Sequence, residues 1–146
     1  MKKVEASIVV DVSPQQALDA FILPEHLQAW WGVERSFIEP KPGGLYSLAW
    51  QVSDKGIKYI STGVISEYQA GKKLRVDKLV YFNPDKPILG PLELTFEVEP
   101  AESGTRISVC QAGYREGEHW QWYYEAVVQA WPAVLKELKA YLEKLN

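Results

Sequence analysis

Residues 118–145 read EHWQWYYEAVVQAWPAVLKELKAYLEKL, and this stretch decides the fold. Trp120, Tyr124, Val127, Trp131, Val134, Leu138, Tyr141 and Leu145 recur at spacings of three and four, the period of one helix face. Gln121, Gln129, Lys136 and Glu143 fall mostly away from that stripe. A long helix with a continuous apolar face must bury it against another layer. Pro132 lacks a backbone donor and its ring crowds the preceding turn, so a kink or break is expected there.

The layer it needs lies upstream. Leu92, Leu94, Phe96 and Val98 alternate with Glu93, Thr95, Glu97 and Glu99, giving a strand with one apolar and one wet face. After a turn at Glu102-Ser103-Gly104, Ile107 and Val109 continue the apolar face with Gln111 in phase. Residues Leu45 to Val52 place Tyr46, Leu48, Trp50 and Val52 together, bounded by Pro40-Lys41-Pro42-Gly43-Gly44 and by the hairpin signal Asp54-Lys55-Gly56. Further strands are predicted over Val33 to Glu39, Tyr59 to Tyr68 and Leu74 to Phe82, then a long loop from Asn83 to Pro91. At the start, residues 3–12 suit a strand, Ser13 an N-cap and Pro14 a first helical position, with Ala17, Leu18 and Phe21 at helical spacing. Pro24 ends that helix, and Glu25 to Trp31 forms a second one closed by Gly32. The order is α+β: a curved antiparallel sheet of about six to seven strands gripping a long C-terminal helix, with two short helices after the first strand. Residues 1–146 are expected to form one domain.

Composition narrows the classes. Net charge is −3 with no basic footprint, which argues against nucleic acid as a partner. Cys110 is the single cysteine, so no intramolecular disulfide forms. No stretch approaches the ~20 apolar residues of a membrane span, and Ile8-Val9-Val10 is too short for a signal core. The expected compartment is the cytoplasm. Aromatics make up 12% of the chain and several cluster, as they do around pockets and interfaces.

Three stretches carry a family resemblance: Val9-Val10-Asp11-Val12-Ser13-Pro14 with Ala17 to Phe21 and Ala29-Trp30-Trp31; Pro42-Gly43-Gly44 leading into the Tyr46 strand; and Trp131-Pro132-Ala133-Val134-Leu135 with Leu138 to Glu143. On these the chain resembles the START-like superfamily, also called SRPBCC or helix-grip. Within it, the chain is similar to the C-terminal domain of the activator of heat-shock protein 90 ATPase. The family usually has Gly before that tryptophan, where this chain has Ala130. The resemblance implies a cavity between sheet and helix, and a chaperone as one class of partner. The eukaryotic co-chaperones carry an additional N-terminal domain that makes the main chaperone contact, and here one domain is expected to consume all 146 residues.

Candidate chemistry is sparse. His26 and His119 are the two histidines, and neither stands at metal-ligand spacing, so no metal or cofactor is expected. Glu116, Glu118 and Glu125 sit before and within the last helix, where the first two complement its positive end. Cys110 should face away from the apolar side. The candidate ligand pocket is therefore aromatic and apolar: Trp30 and Trp31 near its opening, Tyr46, Leu48, Trp50, Phe96 and Val109 on the sheet, and Trp120, Tyr124 and Val127 on the helix. Gln111 is the polar group placed to orient a ligand. Trp122 and Tyr123 lie off the stripe; exposed there, they would suggest a homodimer surface. Three functions stay open: non-catalytic binding of a small apolar or amphipathic molecule, a co-chaperone or stress-response interaction module, and a small hydrolase or cyclase using a Glu or His at the pocket mouth.

Overall fold

The computed structural model describes residues 2–145. Strand β1 (Lys3–Val10) is followed by helices α1 (Pro14–Asp19) and α2 (Pro24–Trp31). Six more strands follow: β2 (Arg35–Ile38), β3 (Leu45–Ser53), β4 (Gly56–Gln69), β5 (Lys73–Phe82), β6 (Leu89–Ala101) and β7 (Gly104–Ala112). Helix α3 (Glu118–Lys144) closes the chain. The strands form one antiparallel sheet in the order β1-β7-β6-β5-β4-β3-β2, with two short helices after the first strand and the long helix against the sheet, the α+β order read from the sequence. Strand β6 starts at Leu89, so the expected loop from Asn83 to Pro91 is shorter than its prolines suggested.

Local chemistry sets the ends of the short helices. Ser13 Oγ accepts from the Gln16 N–H at 3.2 Å, and Gln16 Oε1 accepts from the Ser13 N–H at 3.1 Å. This reciprocal pair satisfies two donors that the first turn of α1 would otherwise leave open. Gly32 adopts φ 70°, a left-handed turn that costs glycine nothing, and ends α2. Strands β4 and β5 lose register between Thr62 and Val64, as at a β-bulge. At that point a Cβ on Gly63 would sit 2.7 Å from Val76 Cγ1, so glycine alone fits the close approach of the two strands.

Helix α3 runs unbroken through Pro132, so the break that the proline could have caused does not occur. Pro132 lies on the exposed side, so the Val128 carbonyl it leaves without a donor is open to solvent. On the other side Tyr123, Val127, Trp131, Leu135, Leu138 and Leu142 are buried. Burying six such side chains, at about 1.5–3 kcal/mol each, outweighs the ~3 kcal/mol that an interior proline costs. The inward stripe thus shares Val127, Trp131 and Leu138 with the predicted one but is rotated. Tyr123 replaces Trp120 and Tyr124 as the first inward residue, and Leu145 is exposed.

Packing is dense around α1 and α2. Phe21 stacks on Phe96 with ring centroids 4.1 Å apart, and Trp30 meets Phe21 edge-on at 5.6 Å. Trp131 reaches this cluster from α3, 6.0 Å from Phe96 and 5.8 Å from Trp31. Beyond Trp131, toward the start of α3, the layers part.

Candidate functional site

The parted layers enclose a cavity of about 400 Å³. Its sheet wall crosses five strands: Tyr46, Leu48 and Trp50 on β3, Tyr59 and Ser61 on β4, Leu79 and Tyr81 on β5, Leu94 on β6 and Gln111 on β7. Trp31 at the end of α2 closes one side. The helix wall is Trp122, Tyr123, Ala126 and Val127, then Ala130, Trp131 and Val134. The small side chains of Ala126 and Ala130 leave the helix surface recessed between Trp122 and Trp131.

Two of the polar handles on this wall are turned to the backbone. The Tyr46 hydroxyl donates to the Phe21 carbonyl at 2.7 Å, and burial raises its pKa far above the ordinary phenol value. The Trp50 indole N–H donates to the Trp31 carbonyl at 3.2 Å. Each ring therefore offers an apolar surface to the cavity while its polar atom is satisfied elsewhere.

One side-chain relay stays inside. Gln111, 3% exposed, accepts the Trp131 indole N–H on Oε1 at 3.0 Å and donates from Nε2 to the Tyr123 hydroxyl at 3.0 Å. Burial, only partly offset by the Gln111 N–H, pushes the Tyr123 phenol up to about 12. Tyr123 also stacks on Tyr81 at 5.3 Å. The relay links β7 to two turns of α3 and fixes the helix's rotation against the sheet. No Asp, Glu, Lys, Arg or His among the described residues lines the cavity.

The structure brings Trp31, Tyr46, Leu48, Trp50, Gln111 and Val127 together on the wall. It places the other five expected residues elsewhere. Trp30 is buried behind Trp31, stacked at 5.0 Å with its N–H on the Ala20 carbonyl. Phe96 is covered by Phe21 and Trp131, and Val109 lies buried in the same sheet face outside the lining. Trp120 and Tyr124 turn sideways to pack edge-on against Tyr114, at 6.4 and 5.1 Å, with Lys2 Nζ 4.9 Å above the Tyr124 ring. The rotation of α3 is the physical reason. It carries Tyr123 inward, where an off-stripe position was expected, and sets Trp122 at the mouth, 36% exposed under Lys86.

The titratable candidates lie off the wall. His119 and Glu118 are exposed at the start of α3, and Glu125 accepts from Gln121 on the outer face. His26 sits 2.6 Å from the Tyr141 hydroxyl, joining α2 to α3. Cys110 is half-buried on the opposite sheet face, and burial raises its thiol pKa. Leu94 was legible as a neighbour of Phe96 on one face; Tyr59, Ser61 and Tyr81 were not, because no residue-type signal marks them.

The family described as Activator of Hsp90 ATPase homolog 1-like protein matches residues 11–143. No curated protein matches the sequence. Among solved structures, a protein from Mesorhizobium loti superposes with TM-score 0.78 at 17% identity, covering 99% of each chain. An AHSA1 protein from Silicibacter pomeroyi gives 0.75 at 16% identity, covering 99% of this chain and 100% of that one. The Aha1 dimer from Colwellia psychrerythraea gives 0.71 at 16% identity, covering 98% and 97%. At such identities these likenesses speak for the fold alone.

Proposed function

We propose, for a chain that belongs to the Activator of Hsp90 ATPase homolog 1-like family, that it encloses a small, uncharged, mostly apolar molecule between sheet and helix without bond chemistry. The observation that carries this reading is the cavity of about 400 Å³ walled by aromatic and aliphatic side chains. That volume lies in the range of small-molecule sites. Its described wall holds no carboxylate, imidazole or ammonium, so proton transfer near neutral pH has no protein group to use, and a charged ligand would lose its hydration without gaining a partner.

Native mass spectrometry of freshly purified protein, repeated under denaturing conditions, tests it. The expected result is extra mass in the native spectrum alone. A bare protein mass in both spectra counts against the reading and favours the second one, a chaperone-facing role suggested by the family description. The same native spectrum reports whether this chain, like the Colwellia neighbour, forms a dimer.

A further inference from the structure

We infer that the cavity selects molecules carrying a hydrogen-bond acceptor, such as a ketone or ester carbonyl, and that the Tyr123 hydroxyl is the donor that reads it. This deepens the binding role proposed above and rests on it.

The direction of the relay carries the argument. An indole nitrogen can only donate. Trp131 Nε1 lies 3.0 Å from the Gln111 side chain, so the amide must turn its oxygen to Trp131 and its NH2 group to Tyr123. The opposite orientation would set two donors against each other. An amide nitrogen cannot accept, so in the 3.0 Å contact the Tyr123 oxygen is the acceptor. Its own hydrogen then points away from Gln111, and among the described residues no protein group takes it. Tyr123 and Gln111 both line the cavity, and both are more than nine-tenths buried. A buried donor thus lines a mostly apolar space.

Two other donors share the wall, the second N–H of Gln111 and the half-buried Trp31 indole N–H, so the comparison with Tyr123→Phe is what assigns the reading to the phenol. Tyr46 and Trp50 have already given their hydrogens to backbone carbonyls. Ser61, Tyr59, Tyr81 and Asn83 are half-exposed, within reach of solvent, and Asn83 hydrogen-bonds the Tyr81 hydroxyl. The Tyr123 phenol, held near 12 by burial, stays protonated at neutral pH.

A pair of isosteric probes isolates the donor. 2-Acetylnaphthalene and 2-ethylnaphthalene differ by a carbonyl in place of a methylene, and equilibrium dialysis gives the affinity of each for the wild-type chain and for Tyr123→Phe. The expected result is a loss of about 3- to 10-fold for the acetyl probe, the worth of one net hydrogen bond, with the ethyl probe unchanged within about twofold. Equal losses for both probes would overturn the inference while leaving the cavity a binding site. Binding of neither probe to the wild-type chain would overturn the binding role and this inference together. Should Tyr123→Phe fail to fold by circular dichroism, Trp131→Phe serves instead. It frees Gln111 to turn its oxygen toward Tyr123 and take the hydrogen back; because Trp131 also lines the cavity, the readout is the ratio of the two affinities, which should shift against the acetyl probe by about 3- to 10-fold, and an unchanged ratio would overturn the inference.

Discussion

Tyr46 and Tyr114 are both buried, but only one of their hydroxyls has a partner. Tyr46 donates to the Phe21 carbonyl, tying β3 to the turn between α1 and α2, whereas the Tyr114 hydroxyl has no hydrogen-bond partner among the described residues. The same loss of one oxygen should therefore have opposite signs. Tyr46→Phe removes a partner from a buried carbonyl and is expected to cost about 1–3 kcal/mol, and Tyr114→Phe removes an orphaned group and is expected to be neutral or stabilising by up to a similar amount. Urea denaturation midpoints of the two variants check this, and a shift of both in one direction would contradict it. Neither role is visible in the sequence, where both tyrosines look alike. Gln111 was more legible, because a lone amide in phase with Ile107 and Val109 has to find partners. The identity of those partners was not, since it depends on residues 12 and 20 positions away.

At the level of elements, the alternating strands, the Ser13-Pro14 cap and the Gly32 stop were readable because each rests on chemistry confined to a few residues. The rotation of α3 was not. From Trp120 to Tyr124 four of five residues are aromatic, so every phase of a helix scores as apolar there, and the partners that select one, the Gln111 relay, Tyr81 and Tyr114, lie elsewhere in the chain. Pro132 misled for a related reason: local sterics argue for a break, but the burial of six side chains on the far face keeps the helix continuous through it. Replacing it should relieve the local cost. Pro132→Ala is expected to raise stability by about 2 kcal/mol, the ~3 kcal/mol helix penalty less the loosening of the unfolded chain. Thermal denaturation measures this, and an unchanged midpoint would mean that the exposed Val128 carbonyl was never a burden.

For the molecule as a whole, buried phenols on both walls make folding sensitive to alkali. Tyr46 and Tyr123 hold their protons well above the ordinary phenol value of about 10, so above that pH the unfolded chain loses protons that the folded chain keeps. Their contribution is complete below pH 10 and is lost as pH climbs toward the folded values, at about 1.4 kcal/mol per pH unit for each. Urea midpoints that hold steady to pH 9.5 and then fall steeply are the expected outcome; a flat profile to pH 11.5 would contradict it. The open sheet has a consequence of another kind. A ladder with two free rims invites a stranger's backbone to continue it. Here one rim, β2, is four residues long. At the other, Lys139 of α3 already holds the Val9 carbonyl and Glu143 the Asp11 N–H. With one rim stunted and one end of the other engaged by the helix, the ladder offers a passing copy of this chain less edge to extend, which works against growth into fibres.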